Sequence, residues 1–146
     1  MHIARIAAIV NPMPGAGMDP HAATHRVAML RDAFASRQIS ATIDLTARSG
    51  HARELARAAV AAHADLVIVW GGDGTINEVV NGFFENDKAI NPNAALGVLP
   101  RGTGGDFRKT FNWDLDFEAA VRRLKTPDTR PFDVGRLEYL GHDGAK

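Results

Sequence analysis

The sequence predicts an α/β fold in three layers, a mostly parallel sheet with helices on both faces. Three observations predict it. Short apolar runs of strand length alternate with amphipathic stretches of helix length four times over. The strand runs are nearly continuous in apolar residues, as strands covered on both faces must be. The loops that leave the strand ends are rich in glycine, threonine or serine and lead into helices, the connection that parallel β-α-β units require.

Ile6 to Val10 is the first apolar run, and Asn11-Pro12 ends it. A Gly/Pro-rich loop follows to Gly17. Asp19-Pro20 reads as N-cap and first position of a helix, which runs to about Arg37 with Val27, Leu30 and Phe34 on one face. Ala41 to Leu45 is the second strand, closed by Thr46. The alanine-rich stretch from His51 to His63 is helical, with Leu55, Ala59 and Ala62 inward and Arg53, Glu54 and Arg57 outward. Leu66 to Trp70 is the third strand. Thr75 and Glu78 form a capping-box pair that opens a helix through Val79, Val80 and Phe83. Ala95 to Leu99 is the fourth strand, ended by Pro100. The last helix, Phe117 to Lys125, carries Phe117, Ala120, Val121 and Leu124 at i, i+3, i+4 and i+7. Arg130 to Leu140 reads as an extended strand with no helix after it. The expected division is therefore an α/β unit over 1–128 and the start of a truncated, β-rich second unit over 129–146.

Composition narrows the function classes. The chain has 146 residues, 45% of them hydrophobic and 23% charged, which suits one soluble domain with its own core. Lysine plus arginine equals aspartate plus glutamate at 17 each, so no nucleic-acid partner is expected. There is no cysteine, which excludes disulfides, thiol catalysis and cysteine zinc sites. No apolar run approaches the ~20 residues that cross a bilayer, and the start lacks a signal-peptide pattern. A cytoplasmic protein is expected, with any membrane contact peripheral. The unpaired strand at Phe132 to Leu140 raises the hypothesis of a homodimer formed through that edge.

In such folds the loops at the carboxyl ends of the strands gather along one edge, where ligands bind. Here these loops are 11–17, 46–50, 71–75 and 100–105. The first long motif is Gly71-Gly72-Asp73-Gly74-Thr75-Ile76-Asn77-Glu78. Its glycines let backbone approach an anion, and the helix N-terminus that follows directs free N–H groups at the same place. Asp73 repels phosphate. It makes sense as a contact to a metal bound to phosphate, to a water on that metal, or to an acceptor hydroxyl. The spacing lacks the third glycine of the dinucleotide fingerprint, and no Walker A string exists. The second motif, Leu99 to Phe107, places Gly102, Thr103, Gly104 and Gly105 where backbone and a hydroxyl suit phosphate. Asp106 there reads equally well as a helix cap, and Arg101 as a solvated side chain rather than a phosphate clamp. The third, Asn11 to Gly17, and Thr46 are weaker on their own. His21 and His25 share a helix face without an acidic partner and read as solvated. Trp70 reads as core.

Asn11-Pro12 with Gly15, Gly71 to Glu78 running into Val79-Val80-Asn81-Gly82, and Gly97 to Phe107 together resemble the catalytic domain of diacylglycerol kinases, sphingosine kinases and bacterial lipid kinases. Order and spacing match across nearly the whole chain. The resemblance implies the NAD kinase/diacylglycerol kinase type of nucleotide-binding fold. It also implies ATP as phosphoryl donor, magnesium as cofactor, and a lipid hydroxyl, on diacylglycerol or a sphingoid-like lipid, as acceptor, hence a place in phospholipid biosynthesis. The implied nucleotide contacts are Asn11, Pro12, Gly15, Thr46, Gly71, Gly72, Asp73, Gly74, Thr75, Asn77, Gly102, Thr103 and Gly104. Asp73 is the implied catalytic residue, meeting the metal through a water. In sphingosine kinases the matching aspartate is assigned the base role; bacterial members place an acidic base and magnesium ligands in a second, β-rich domain. The family usually has asparagine where this chain has Gly105. The resemblance leads to the expectation of nucleotide binding with little or no turnover for this chain alone. The rival expectations are an NAD kinase-like enzyme of the same superfamily and a non-catalytic nucleotide-binding regulatory module.

Overall fold

The computed structural model describes residues 4–12, 20–101, 105–113, 115–125 and 128–139. The element order is β1 (Ile6–Val10), α1 (Pro20–Ala35), β2 (Ala41–Leu45), α2 (His51–Ala61), β3 (Leu66–Gly71), α3 (Asp73–Gly82), β4 (Phe84–Glu85), β5 (Lys88–Ala89), β6 (Ala95–Pro100), α4 (Asp106–Thr110) and α5 (Phe117–Lys125). Four strands form one parallel sheet in the order β2-β1-β3-β6. The register pairs Val10 with both Leu45 and Trp70, and Trp70 with Leu99, so the carboxyl ends of the strands are level.

Alternation along the strands feeds two cores. Ala8, Val10, Ile68, Trp70 and Leu99 face Leu30 and Phe34 of α1 and Ala120 and Val121 of α5. Ile9, Val67, Val69 and Val98 face Ala52, Ala56 and Val60 of α2 and Ile76 and Val79 of α3. The central strand β3 is buried at every residue. Each fully buried valine, leucine or isoleucine there contributes roughly 1.5–3 kcal/mol of apolar burial, and this two-sided burial is what its unbroken apolar run encodes.

Chain direction fixes where a ligand fits. From β1 the chain moves outward to β2 by way of α1 on one face. It then crosses back over β1 by way of α2 on the other face to reach β3, and continues outward to β6. The direction reverses between the neighbours β1 and β3, so the loops that leave their carboxyl ends lead to helices on opposite faces of the sheet, the switch point at which such folds bind ligands.

Several expectations are corrected. α3 begins at Asp73, with Gly72 as N-cap, so Thr75 lies inside the helix and no Thr75–Glu78 capping box forms. The buried stripe of α2 is Ala52, Ala56 and Val60, while Ala62 is exposed; the six alanines between His51 and His63 give too little contrast to place the face from spacing alone. Residues 128–139 join no strand, although extension was expected over 130–140, and Phe132, Val134, Leu137 and Tyr139 lie exposed. The short antiparallel hairpin β4-β5 has no counterpart in the periodicity. Its turn residues Asn86 and Asp87 both take positive φ, 47° and 63°, the pairing that tight hairpins favour. Asp19 lies outside the described residues.

Candidate functional site at the carboxyl edge of the sheet

The site is built where β1 and β3 end side by side. The ladder continues one step past β1, as Asn11 N donates to Trp70 O at 2.9 Å. This aims the Asn11 side chain at α3, and its Nδ2 donates to Thr75 Oγ1 at 2.9 Å. Thr75 is buried, so its hydroxyl ties the first loop to the third. Arg26 of α1 closes the arrangement from below. Its guanidinium donates to Asn11 O at 3.2 Å and to Pro12 O, although the residue is only 6% exposed. A buried cation is tolerated because carbonyl oxygens replace its water. Next door, Thr46 N donates to Val10 O at 2.9 Å, and His51 Nδ1 accepts from Ala47 N at 3.0 Å. Thr46 is thereby fixed at the end of β2, half-buried.

Asp73 is the hub of the other half. As the first residue of α3 it sits at that helix's positive end. Its Oδ2 also accepts from Asp106 N at 2.9 Å and its Oδ1 from Phe107 N at 3.3 Å, the first two amides of α4. One carboxylate thus faces two helix N-termini. Asp106 does not cap α4; its Oδ1 pairs with Lys109 Nζ at 3.0 Å. The N-cap is Gly105, in the left-handed region at φ 61° and ψ 42°.

That conformation gives a physical reading of the Gly105 departure. Asparagine is the residue, after glycine, that adopts left-handed backbone most readily. Both choices satisfy the same turn. Gly105→Ala is expected to lower stability by about 1–2 kcal/mol, because its Cβ adds backbone strain and would sit 2.8 Å from Arg108 Nε. Gly105→Asn should cost less than Gly105→Ala, and chemical denaturation of the two variants checks the order.

The remaining expected residues are placed as follows. Gly71 O accepts from Arg101 N at 3.0 Å, extending the β3–β6 pairing into the second motif. Gly72 and Gly74 lie at the start of α3, Gly74 exposed. Asn77 is one turn further, and its carbonyl accepts from Asn81 Nδ2 at 2.8 Å. Pro12 is half-buried beside Asn11. Gly15, Gly102, Thr103 and Gly104 lie outside the described residues. Partial burial lowers the pKa of the Arg101 guanidinium below its ordinary value.

Sequence reasoning missed one residue of the site, Arg26, and gave another, Glu78, the wrong partner. Arg26 interrupts the apolar stripe of α1 one turn before Leu30, and a charge in that place was the available signal. Glu78 reaches across to α2, where its carboxylate accepts from Gly50 N at 2.9 Å and Ala52 N at 3.2 Å. No side chain of α2's own caps that helix, so its free amides required an outside partner.

The model of the diacylglycerol kinase catalytic domain matches residues 5–137. A diacylglycerol kinase of Staphylococcus haemolyticus (strain JCSC1435) is 38% identical over 93 residues, covering 63% of this chain and 27% of that protein. A diacylglycerol kinase of Staphylococcus epidermidis (strain ATCC 12228 / FDA PCI 1200) is likewise 38% identical over 93 residues, 63% of this chain and 28% of that protein. The crystal structure of a diacylglycerol kinase from Bacillus anthracis str. Sterne superposes with a TM-score of 0.63 at 31% identity, covering 83% of this chain and 39% of that one. The matched segments therefore span well under half of these relatives. With a family model that takes in both glycine motifs and every strand of the sheet, the chain belongs to the diacylglycerol kinase catalytic domain family.

Proposed function

We propose that this chain is the nucleotide-holding unit of a lipid kinase, binding ATP at the β1/β3 switch point for transfer of its γ-phosphoryl to a lipid hydroxyl. In this reading residues 1–128 form the nucleotide-binding domain and 129–146 lead into a second, β-rich unit. The observation that carries the reading is Gly74. An exposed glycine in a helix costs roughly 0.5–1 kcal/mol relative to alanine. Packing against the described residues gives no reason for it, since a Cβ at Gly74 would meet none of their atoms within 4 Å. The position makes sense if a ligand comes against the backbone at the start of α3, where free N–H groups and the helix dipole favour phosphate.

Asp73 supplies the negative charge of the site. Each of its oxygens accepts one N–H, which leaves lone pairs for a further partner. Among the described residues no cluster of three or more acidic, histidine or cysteine side chains could hold a metal. A single carboxylate still suits magnesium, which keeps its waters and binds through one or two carboxylates plus substrate phosphates. Magnesium held there would offset the charge on the transferring phosphoryl group. The chain's own residues do the positioning. Asn11 and Arg26 fix the first loop, Thr75 joins it to α3, and Glu78 holds α3 against α2. No described helix is long and apolar enough to cross a membrane, so a lipid acceptor would be met from the surface.

Gly74→Ala tests the reading. The variant should be as stable as the parent or more so, by up to about 1 kcal/mol. Its affinity for magnesium-ATP, measured by calorimetry, should fall about tenfold, a loss of ~1.4 kcal/mol. Equal affinity in parent and variant would remove the argument from Gly74. No binding by the parent at millimolar ATP would count against a nucleotide site complete within this chain.

A further inference from the structure

We propose that the pocket between the carboxyl ends of β3 and β6 and the start of α5 binds a lipid phosphate, with Arg101 pairing with the phosphate and the hydrocarbon lying against Trp70, Leu99, Leu115 and Phe117. The proposal deepens the lipid-kinase reading and rests on it for the identity of the amphiphile.

The pocket holds about 180 Å³. That is room for roughly six water-sized groups at ~30 Å³ each, enough for the first stretch of an alkyl chain and too little for a nucleotide. Its floor is buried core, with Trp70 7%, Leu99 1% and Ala120 2% exposed. The Trp70 and Phe117 rings form one wall, with centroids 4.9 Å apart and planes tilted by 31°. Pro100 and the exposed Leu115 form the rim.

Among the described residues Arg101 is the only charged one that lines the pocket. Its guanidinium makes no hydrogen bond or ion pair with a described residue, whereas Arg26, Arg37, Arg48 and Arg57 all do. Burial also lowers its pKa, so the charge has already lost water without gaining a partner. A cation in that state favours an anion, and the apolar walls favour one with a hydrocarbon attached. A lipid phosphate supplies both ends, while inorganic phosphate and a neutral alcohol each supply one.

The location suits the reaction. The Arg101 backbone is held to the phosphate motif, with its N on Gly71 O at 3.0 Å and its O 3.2 Å from where a Cβ on Gly72 would stand. Trp70 directly precedes Gly71, so the pocket lies three residues along β3 and α3 from Asp73. It borders α5, on the face of the sheet opposite α3. A lipid could thus occupy it without entering the Asn11–Thr75 site. Once phosphorylated, the lipid would carry the anion that Arg101 lacks.

The test uses this chain carrying Trp113→Phe. The sequence has two tryptophans, so Trp70 is then the single emitter. Bromooctyl phosphate, kept below its micelle concentration, should quench Trp70 saturably. Arg101→Met should weaken that binding about tenfold and leave magnesium-ATP affinity and melting temperature unchanged. Leu115→Glu, at a position 51% exposed and therefore safe for folding, should also abolish quenching. Absence of saturable quenching overturns the proposal. So does inorganic phosphate competing as strongly as octyl phosphate, or octanol binding as well as octyl phosphate with no effect of Arg101→Met. A loss of ATP affinity in place of alkyl-phosphate affinity reassigns Arg101 to the nucleotide and overturns it too. ATP titration of the unsubstituted chain keeps the two readings apart: failure there with intact alkyl-phosphate binding counts against the nucleotide site alone.

Discussion

Asp73→Ala is expected to weaken magnesium-ATP binding by about a hundredfold, ~2.7 kcal/mol, and to release the start of α4. The two effects have separate physical origins. The carboxylate accepts from Asp106 N and Phe107 N, and its loss leaves two helix amides without their charged partner. Losing a capping acceptor costs about 1 kcal/mol, which for a chain of this size lowers the melting temperature by roughly 2–4 °C. The binding loss would come from the lone pairs that those amides leave free. Asp73→Asn should fall between parent and alanine in stability, because its amide carbonyl keeps one acceptor and its charge is gone. Calorimetry with and without magnesium reads the first effect, and hydrogen exchange at the Asp106 and Phe107 amides reads the second. Faster exchange with unchanged ATP affinity would make Asp73 a brace between the two glycine motifs and nothing more.

The brace also shows what the sequence could and could not convey. Strand and helix order was legible because burial on two faces writes itself as unbroken apolar runs, and Ile6–Val10, Ala41–Leu45 and Phe117–Lys125 fall where periodicity puts them. The carboxyl edge was legible for the same reason, since parallel strands leave their loops at one end. Partners between loops were not. Glu78 looked like a local cap three residues from Thr75, a pattern that is a signal only when the helix starts at the threonine's next residue. The helix starts at Asp73, and Glu78 turns instead to Gly50 and Ala52, more than twenty residues earlier in the chain. Arg26 was hidden likewise, because the acceptors it finds among the described residues are carbonyls, which every residue carries and no sequence distinguishes. Nor could the sequence say why glycine stands where the family usually has asparagine; the left-handed backbone at Gly105 gives that departure a conformational reading.

Gly82→Ala is expected to destabilise the chain by about 3 kcal/mol, at the upper end of what overpacking costs. A Cβ on Gly82 would stand 2.6 Å from Arg53 O, 2.7 Å from Ala56 Cβ and 3.0 Å from Arg57 N. These are backbone or Cβ atoms of α2, so no rotamer change relieves the contact and one helix must shift against the other. At roughly 2–4 °C per kcal/mol the melting temperature should fall by about 6–12 °C. The shift would also reach the site. Glu78, one turn earlier on α3, spans the same helix pair at 2.9 and 3.2 Å, distances that a displacement of even an ångström would break. Gly82→Ala should therefore weaken ATP binding in proportion to its structural damage. Gly74→Ala, on the same helix but with no described atom within 4 Å of its Cβ, should lower affinity with no thermal cost. A Gly82→Ala chain melting within a degree or so of the parent would mean that α2 and α3 separate easily. The rigid seating of the α3 N-terminus, on which both glycine arguments depend, would then have to be abandoned.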